Sequence, residues 1–171
     1  MEGRDKGLQL HQGQPLVVQA LQRLRPQVGT LAISANRHLD DYRAFGVPVW
    51  ADTLAGFPGP LAGWLSALQH SATEWVITVP CDTPAFPPDL VARLVQAAEE
   101  SQAGLAIAST ALRPQPVFAL LHRRLTPALQ MALAAGERRV SRWAQDQGAA
   151  VARFDDETAF RNLNTLDDLA P

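Results

Sequence analysis

The stretch Trp75-Val76-Ile77-Thr78-Val79-Pro80-Cys81-Asp82-Thr83-Pro84 joins a continuous apolar run to a polar segment with an aspartate between two prolines. A short continuous apolar run is typical of a strand that is covered on both faces of its sheet. Residues that directly follow such strands lie at the edge where α/β sheets bind their ligands. The stretch therefore predicts a buried strand over 75–79 and a functional carboxylate, Asp82, at its end.

Four further apolar runs predict buried strands, and helical patterns lie between them. The runs span residues 31–35, 105–109, 117–121 and 150–154. Apolar residues recur every three to four positions over 16–24, 61–68 and 90–98, which is the spacing of amphipathic helices. Helices that alternate with continuous apolar strands predict one α/β domain over residues 1–171, doubly wound in three layers (αβα), with a mostly parallel sheet.

Several local signals predict where elements begin and end. Pro88 is expected in the first turn of a helix, where a proline is tolerated, and Gly136 is expected to stop a helix. Phe160 reads as part of a strand-like segment. Thr165-Leu166-Asp167-Asp168 has the form of a capping box and predicts a short last helix.

Composition narrows the classes of partner and location. The 171 residues carry a net charge of −2, which argues against a nucleic-acid binder that relies on bulk positive charge. No apolar run approaches the roughly 18 residues of a membrane span, and the polar first residues do not form a signal peptide. The single cysteine, Cys81, cannot form an internal disulfide and is expected to be a small core residue. We therefore expect a cytoplasmic protein that binds neither nucleic acid nor membrane.

Asp82 and Lys6 each have a functional and a structural interpretation. A carboxylate after a buried strand suits Mg²⁺, which prefers oxygen ligands, but it also suits the cap of a following helix. Lys6, in a polar loop beside Gly7, could contact phosphates or simply be a solvated surface lysine.

Other polar residues follow predicted strands and would share one edge of a parallel sheet. Asn36 and Asp52 come after two apolar segments, and Asn162 and Asn164, two residues apart, would point the same way on an extended chain. Turn formation is the alternative role for the two asparagines. Arg138 and Arg139 could be exposed charges or a phosphate clamp.

The loop Gly56-Phe57-Pro58-Gly59-Pro60-Leu61-Ala62-Gly63 runs into a predicted helix. Glycines let a ligand approach the backbone, and a helix start favours an anion. The Gly-Lys-Ser/Thr ending of a P-loop and the G-x-G-x-x-G pattern of dinucleotide-binding proteins are both absent. Neither of those two nucleotide-binding classes is indicated.

Together these segments resemble the molybdenum cofactor guanylyltransferases. The matching stretches are Asp5-Lys6-Gly7-Leu8, Ser34-Ala35-Asn36-Arg37, Asp52-Thr53-Leu54, Phe57-Pro58-Gly59-Pro60-Leu61-Ala62-Gly63, Pro80-Cys81-Asp82-Thr83-Pro84, Gly136-Glu137-Arg138-Arg139 and Asn162-Leu163-Asn164-Thr165. They run in family order along the whole chain. The proline-glycine loop, taken with the Cys-Asp-Thr-Pro segment, is the most specific part of the resemblance.

The resemblance implies a nucleotidyltransferase fold and the transfer of GMP from GTP to Mo-molybdopterin, with release of pyrophosphate. It implies that Asp82 binds Mg²⁺ (with Mn²⁺ as an alternative ion) and GTP, and that Lys6 contacts phosphate, both as catalytic residues. Ser34, Asn36 and Asp52 would bind the nucleotide. Arg138, Arg139, Asn162 and Asn164 would lie on the pterin side, and one of the two asparagines would assist the metal.

The sequence departs from the family pattern at its beginning. The family starts with a strand that leads into a Leu-Ala-Gly-Gly nucleotide loop, whereas this sequence starts at the methionine that follows that loop. Five buried strand side chains contribute roughly 7–15 kcal/mol, about as much as the whole stability of a domain. We therefore expect the domain to be N-terminally incomplete as written, with GTP affinity far below that of a complete relative.

Two alternative functions keep the same fold. The first is a related cytidylyl- or sugar-nucleotidyltransferase, because the choice of nucleotide depends partly on the absent loop. The second is a non-catalytic paralogue that binds pterin or a partner protein. Partner proteins that insert or carry the molybdenum cofactor are a further expectation, as is a monomeric state.

Overall fold

A computed structural model describes residues 5–53 and 59–163 of the chain. The strands are β1 (Leu10–His11), β2 (Gln14–Pro15), β3 (Ile33–Ser34), β4 (Val49–Trp50), β5 (Trp75–Thr78), β6 (Leu105–Ser109), β7 (Pro114–His122) and β8 (Ala150–Arg153). The α-helices are α1 (Leu16–Leu24), α2 (Leu39–Arg43), α3 (Pro60–His70), α4 (Leu90–Glu100), α5 (Thr126–Ala134) and α6 (Val140–Asp146). Short 3₁₀-helices cover Lys6–Leu8, Arg25–Gln27, Arg123–Leu125 and Thr158–Phe160.

The main sheet has four strands in the order β5-β7-β6-β8, with helices on both faces. The side chains of β6 alternate between the two faces. Ala106 and Ala108 pack with α1 and α4, whereas Leu105 and Ile107 pack with α3, α5 and α6. This arrangement confirms the predicted three-layer α/β domain.

The sheet is mixed, because β7 runs antiparallel to both of its neighbours while β6 and β8 are parallel. The reversal has a local cause. Only residues 110–113 separate β6 from β7, and the Thr110 N–H donates to the Arg113 carbonyl at 3.0 Å. A connection this short closes a hairpin, since a parallel crossover needs a dozen or more residues. The parallel character extends to β3 and β4, which pair separately.

A trough lined by residues 28–36 and 75–81 separates the two-stranded sheet of β3 and β4 from the main sheet. Within residues 5–53 and 59–163, no strand ladder joins β3 to β5. Cavities of about 470, 390 and 280 Å³ lie along the trough, between residues 28–36 on one side and 75–81 on the other. Consequently β5 is only half-buried, with Trp75 37 % exposed, whereas the first four residues of β6 are buried.

Three local predictions need correction or fall outside the structure. Phe160 lies in a 3₁₀-helix, not in a strand, because the Asp156 carboxylate accepts the N–H groups of Thr158 and Ala159 and closes a turn there. Pro88 precedes α4, whose N-cap is Asp89. The predicted capping box at 165–168 lies outside the described residues.

Gly136 lies two residues after the end of α5, where it stops the helix as predicted. Its φ is +88°, a conformation that glycine adopts at little cost, and its N–H donates to the Leu133 carbonyl. In the described part of the chain, no helix has the length and apolar character needed to cross a lipid bilayer.

Candidate active site

The carboxyl end of β5 carries the residue that the sequence singled out. Asp82 lies four residues beyond the last residue of β5, and its side chain is 16 % exposed. The Nζ atom of Lys6, 76 residues away in sequence, lies 3.2 Å from Asp82 Oδ2. Asp82 does not cap the following helix, because Asp89 occupies that position. The fold therefore pairs the two candidate catalytic residues across the site.

The end of the described chain is attached to the same place. The Leu163 N–H donates to the Asp82 carbonyl at 2.7 Å. The hydroxyl of Thr83, which is fully buried, donates to Asn162 Oδ1 at 2.6 Å. These two bonds hold Asn162 beside Asp82. Asn164 lies outside the described residues.

Asn36 and Asp52 form a reciprocal pair at the ends of β3 and β4. The amide Nδ2 of Asn36 donates to Asp52 Oδ2, and the backbone N–H of Asp52 donates to Asn36 Oδ1, both at 2.8 Å. The 390 Å³ cavity of the trough is lined by both residues, by Ser34 and by Pro80. The predicted nucleotide-binding residues thus share one cavity next to the Asp82 segment.

The helix α3 begins at this cavity, and two of its glycines, Gly59 and Gly63, lie on the cavity wall. Its N-cap, Gly59, has φ +131°, which residues with a side chain rarely adopt. A Cβ on Gly63 would lie 3.4 Å from Ser34 Oγ, so the helix comes close to the end of β3. The remaining loop residues 54–58 lie outside the described part of the chain.

Arg138 and Arg139 belong to a different cluster, centred on Glu137. The Nη1 atom of Arg138 donates to the Leu133 carbonyl at 3.2 Å and to the Glu137 carbonyl at 2.7 Å. Arg139 Nε lies 3.8 Å from Glu137 Oε1, and Arg142 Nε lies 3.4 Å from Glu137 Oε2. Each of these contacts spans at most five residues, so they stabilise the turn between α5 and α6.

Cys81 precedes Asp82 and packs against the small apolar cluster of Val17, Ile33 and Tyr42. Burial, together with the negative charges of Asp82 and Asp5, raises the pKa of the Cys81 thiol to about 11. The thiol is therefore protonated near neutral pH. This agrees with its interpretation as a packing residue, since the thiolate is the nucleophilic form.

Sequence reasoning missed Asp5, Tyr42 and Thr83, which hold the site residues in place. Asp5 Oδ1 accepts the Gly7 N–H at 3.1 Å and the Tyr42 hydroxyl at 2.5 Å. An aspartate two residues before a glycine is a turn signal that could have identified Asp5. Thr83 belongs to the Cys-Asp-Thr-Pro segment, but its bond to Asn162 spans 79 residues, and nothing in the sequence pattern links Tyr42 to the site.

Comparison with known proteins adds a family match to this geometry. Residues 1–151 match the family described as MobA-like NTP transferase domain. The chain is 50 % identical over 177 positions to the molybdenum cofactor guanylyltransferase of Methylibium petroleiphilum and 48 % identical over 183 positions to that of Acidovorax ebreus. Both alignments cover 99 % of this chain and 87 % of the relative.

A solved structure shows the same fold. It is the molybdopterin-guanine dinucleotide biosynthesis protein A of Archaeoglobus fulgidus, which superposes with a TM-score of 0.76 at 20 % identity. The superposition covers 98 % of this chain and 88 % of that protein.

Proposed function

Because the chain belongs to the molybdenum cofactor guanylyltransferase family, with its MobA-like NTP transferase domain, we propose that it transfers GMP from GTP to Mo-molybdopterin and releases pyrophosphate. The single observation that carries this proposal is the match to relatives of that name over nearly the whole chain. The Lys6–Asp82 pair supports it, because phosphoryl-type transfers depend on charge neutralisation and alignment.

In this reaction a phosphate oxygen of the pterin attacks the α-phosphorus of GTP, and the bond to pyrophosphate breaks. Both reactants are anions, so the protein must bring two negative groups together in line. A phosphate nucleophile is already ionised near neutral pH, and no strong general base is needed. The chain's own contribution is to supply positive charge and to orient the two phosphates.

The Asp82 carboxylate is the residue that would hold a divalent metal, Mg²⁺ or Mn²⁺. The donor set fits, because Asp82 and the neighbouring Asn162 offer oxygen atoms, which Mg²⁺ prefers. Within residues 5–53 and 59–163, no group of three or more His, Cys, Asp or Glu side chains could hold a metal ion by itself. Phosphate oxygens of the substrate would therefore complete its ligands. When bound, Mg²⁺ would supply positive charge that stabilises the leaving group.

Lys6 would bind the phosphates on the side of the site where Asp82 lies. Its side chain is 45 % exposed and its Nζ atom lies 3.2 Å from Asp82 Oδ2, so the ammonium group is placed to contact a phosphate bound beside Asp82. A lysine acts as a compact point charge on phosphates. Lys6 and Asp82 are the two catalytic residues of this proposal.

The cavity lined by Ser34, Asn36 and Asp52 would take the nucleoside part of GTP. Asn36 and Asp52 hold each other's polar groups, which fixes the wall of the cavity before a ligand arrives. Arg138, Arg139, Asn162 and Asn164 would face the pterin substrate. The two arginines also contact the turn around Glu137.

The alternative functions receive no comparable support. The relatives with 48–50 % identity carry the name of a guanylyltransferase, not of a cytidylyl- or sugar-nucleotidyltransferase. A non-catalytic paralogue gains no support from the site, since Lys6 contacts Asp82 and Asn36 contacts Asp52. A cytoplasmic location, a monomeric state and cofactor-carrying partner proteins stay predictions.

Guanylyl transfer can be measured directly. The protein would be incubated with Mo-molybdopterin, Mg²⁺ and GTP labelled at the α-phosphate, in parallel with CTP and ATP. We expect label in the pterin product with GTP and at least tenfold less with the other nucleotides. Equal use of CTP would overturn the choice of nucleotide, and no transfer from any nucleotide would favour a non-catalytic protein.

We also propose that the trough between β3 and β5 accepts one more extended segment, which completes the sheet of this single domain. The two facing strand edges, and not the position of Met1, carry this proposal. A strand placed there would pair with both edges and cover the half-buried side of β5.

The test compares the chain with a version extended by the residues encoded immediately upstream in frame. Hydrogen exchange should slow in residues 75–78 and 33–34 of the extended version, because their edges gain partners. Unchanged exchange in both segments would contradict the proposal.

A further inference from the structure

The turn that carries Lys6 is held by the Asp5 carboxylate in addition to the packing of Leu8 against the cluster of Val17, Ile33 and Tyr42. Asp5 caps the 3₁₀-helix Lys6–Leu8, and its Oδ1 atom accepts the Gly7 N–H at 3.1 Å. The Gln9 side chain donates to the Asp5 carbonyl at 3.2 Å. The position of Lys6 Nζ, 3.2 Å from Asp82, thus depends on where Asp5 is fixed.

Tyr42 fixes Asp5 from a distant part of the chain. Its ring is 5 % exposed, on the short helix α2, and packs with Val17 and Ile33. Its hydroxyl donates to Asp5 Oδ1 at 2.5 Å. Burial and this bond raise the pKa of Tyr42 far above its ordinary value, so the hydroxyl keeps its proton at every pH at which the enzyme would be assayed.

Gly7 shows how closely Tyr42 approaches the turn. A Cβ on Gly7 would lie 2.4 Å from the Tyr42 hydroxyl oxygen, a separation that real Cβ atoms do not show. The next nearest atoms of the ring would lie at 3.2 and 3.3 Å. The glycine after Lys6 is therefore required by the Tyr42 hydroxyl, and the two residues form one contact.

We propose that Tyr42 is a positioning residue for guanylyl transfer, which acts through Asp5 to hold Lys6 against the Asp82 site. The proposal rests on the catalytic role of Lys6 proposed above. Tyr42 also follows β3, whose end contributes Ser34 and Asn36 to the nucleotide cavity. One segment, residues 33–43, thus connects the cavity wall with the turn that carries Lys6.

The test is a double-mutant cycle of Tyr42→Phe and Lys6→Ala, measured by steady-state guanylyl transfer. Tyr42→Phe keeps the ring and removes a hydrogen bond to a charged acceptor, so we expect kcat to fall about tenfold while KM for the pterin changes less than twofold. In the Lys6→Ala background, Tyr42→Phe should cause no further fall. A merely structural tyrosine would lower kcat by the same factor in both backgrounds, and that outcome overturns the proposal.

A matched control exists at the other end of the chain. Asp156 Oδ1 accepts the backbone N–H of Thr158, at the start of the 3₁₀-helix Thr158–Phe160, and the Thr158 hydroxyl donates to the same oxygen at 2.6 Å, which is a local and exposed hydroxyl–carboxylate bond. Thr158→Val removes an equivalent hydroxyl–carboxylate bond and should leave kcat within twofold of the parent. An equal loss in Thr158→Val would show that the effect of Tyr42→Phe is general destabilisation, and would overturn the proposal.

A second cycle tests the geometry itself. Gly7→Ala alone should impair transfer more than Tyr42→Phe, and Tyr42→Phe should restore part of the activity of the Gly7→Ala protein, because it removes the clashing oxygen and leaves only the ring carbons at 3.2 and 3.3 Å. Failure of this rescue contradicts the contact. If the parent protein transfers no GMP, or if Lys6→Ala matches the parent, the proposed function fails instead, so the two failures are distinguishable.

Discussion

Asp82 and Glu137 are both carboxylates beside cationic side chains, but their partners come from different parts of the molecule. Among the described residues, the hydrogen bond to the Asp82 carboxylate comes from Lys6, 76 positions away. Glu137 Oε1 accepts the backbone N–H groups of Arg138 and Arg139, both at 2.8 Å, and its guanidinium neighbours lie within five residues. Groups of its own turn contact the Glu137 carboxylate, which indicates a structural role. The fold instead brings the Asp82 carboxylate to a distant lysine, which suits the binding of a substrate or a metal.

Asp82→Ala should have the largest effect. Loss of the proposed metal ligand should lower kcat for guanylyl transfer about 10³-fold, with the fold retained. Asp89→Ala is the matched control, since Asp89 is exposed and makes no side-chain cap bond to α4. If Asp82→Ala retained its turnover in saturating Mg²⁺, Asp82 would have no catalytic role that distinguishes it from Glu137.

Glu137→Gln should have the smallest effect on activity and a distinct effect on stability. Bonds from the backbone N–H groups of Arg139 and Arg138 hold the pKa of Glu137 below its ordinary value. A carboxyl with a depressed pKa in the folded state stabilises the protein above its unfolded pKa of about 4.3, and this contribution is lost as pH falls through the folded pKa. The free energy of unfolding of the parent should therefore exceed that of Glu137→Gln at pH 7, and the gap should narrow in acid.

Urea unfolding at pH 7 and at pH 3 measures this difference. Because the glutamine cannot ionise, residue 137 of the variant should make the same contribution to the free energy of unfolding at both pH values. A gap that is constant between the two pH values would mean that the Glu137 carboxylate gains nothing from its turn. In that case the structural role assigned to Glu137, in contrast to Asp82, would be wrong.

Much of the scaffold was predictable because its apolar patterns are local. The run 105–109 became β6 with the predicted bounds, and the helical pattern over 16–24 became α1. The direction of β7 was not predictable from apolar periodicity, since it depends on the four-residue connection after β6. The brief pairing of β3 with β4 depends on neighbouring strand edges, which a sequence pattern does not describe.

The candidate site divides in the same way. Asp82, Lys6, Asn36 and Asp52 follow predicted strands or fit the family resemblance, and the structure brings them to adjoining positions. The sequence did not point to Tyr42, because a tyrosine in a short helix is usually a packing residue. Only the structure shows that its hydroxyl donates to Asp5. Arg138 and Arg139 were grouped with the pterin side from the resemblance, and their contacts to the end of α5 became visible only in three dimensions.

Among the residues that the structure describes, no strand covers the edges of β3 and β5 that border the trough, and this affects how copies of the molecule could associate. An unpaired strand edge is a template for any extended chain, and natural sheets usually cover or charge such edges. Here Trp75, at the start of β5, adds exposed apolar surface beside the edge. At high protein concentration, we expect any strand addition between molecules to begin at β5.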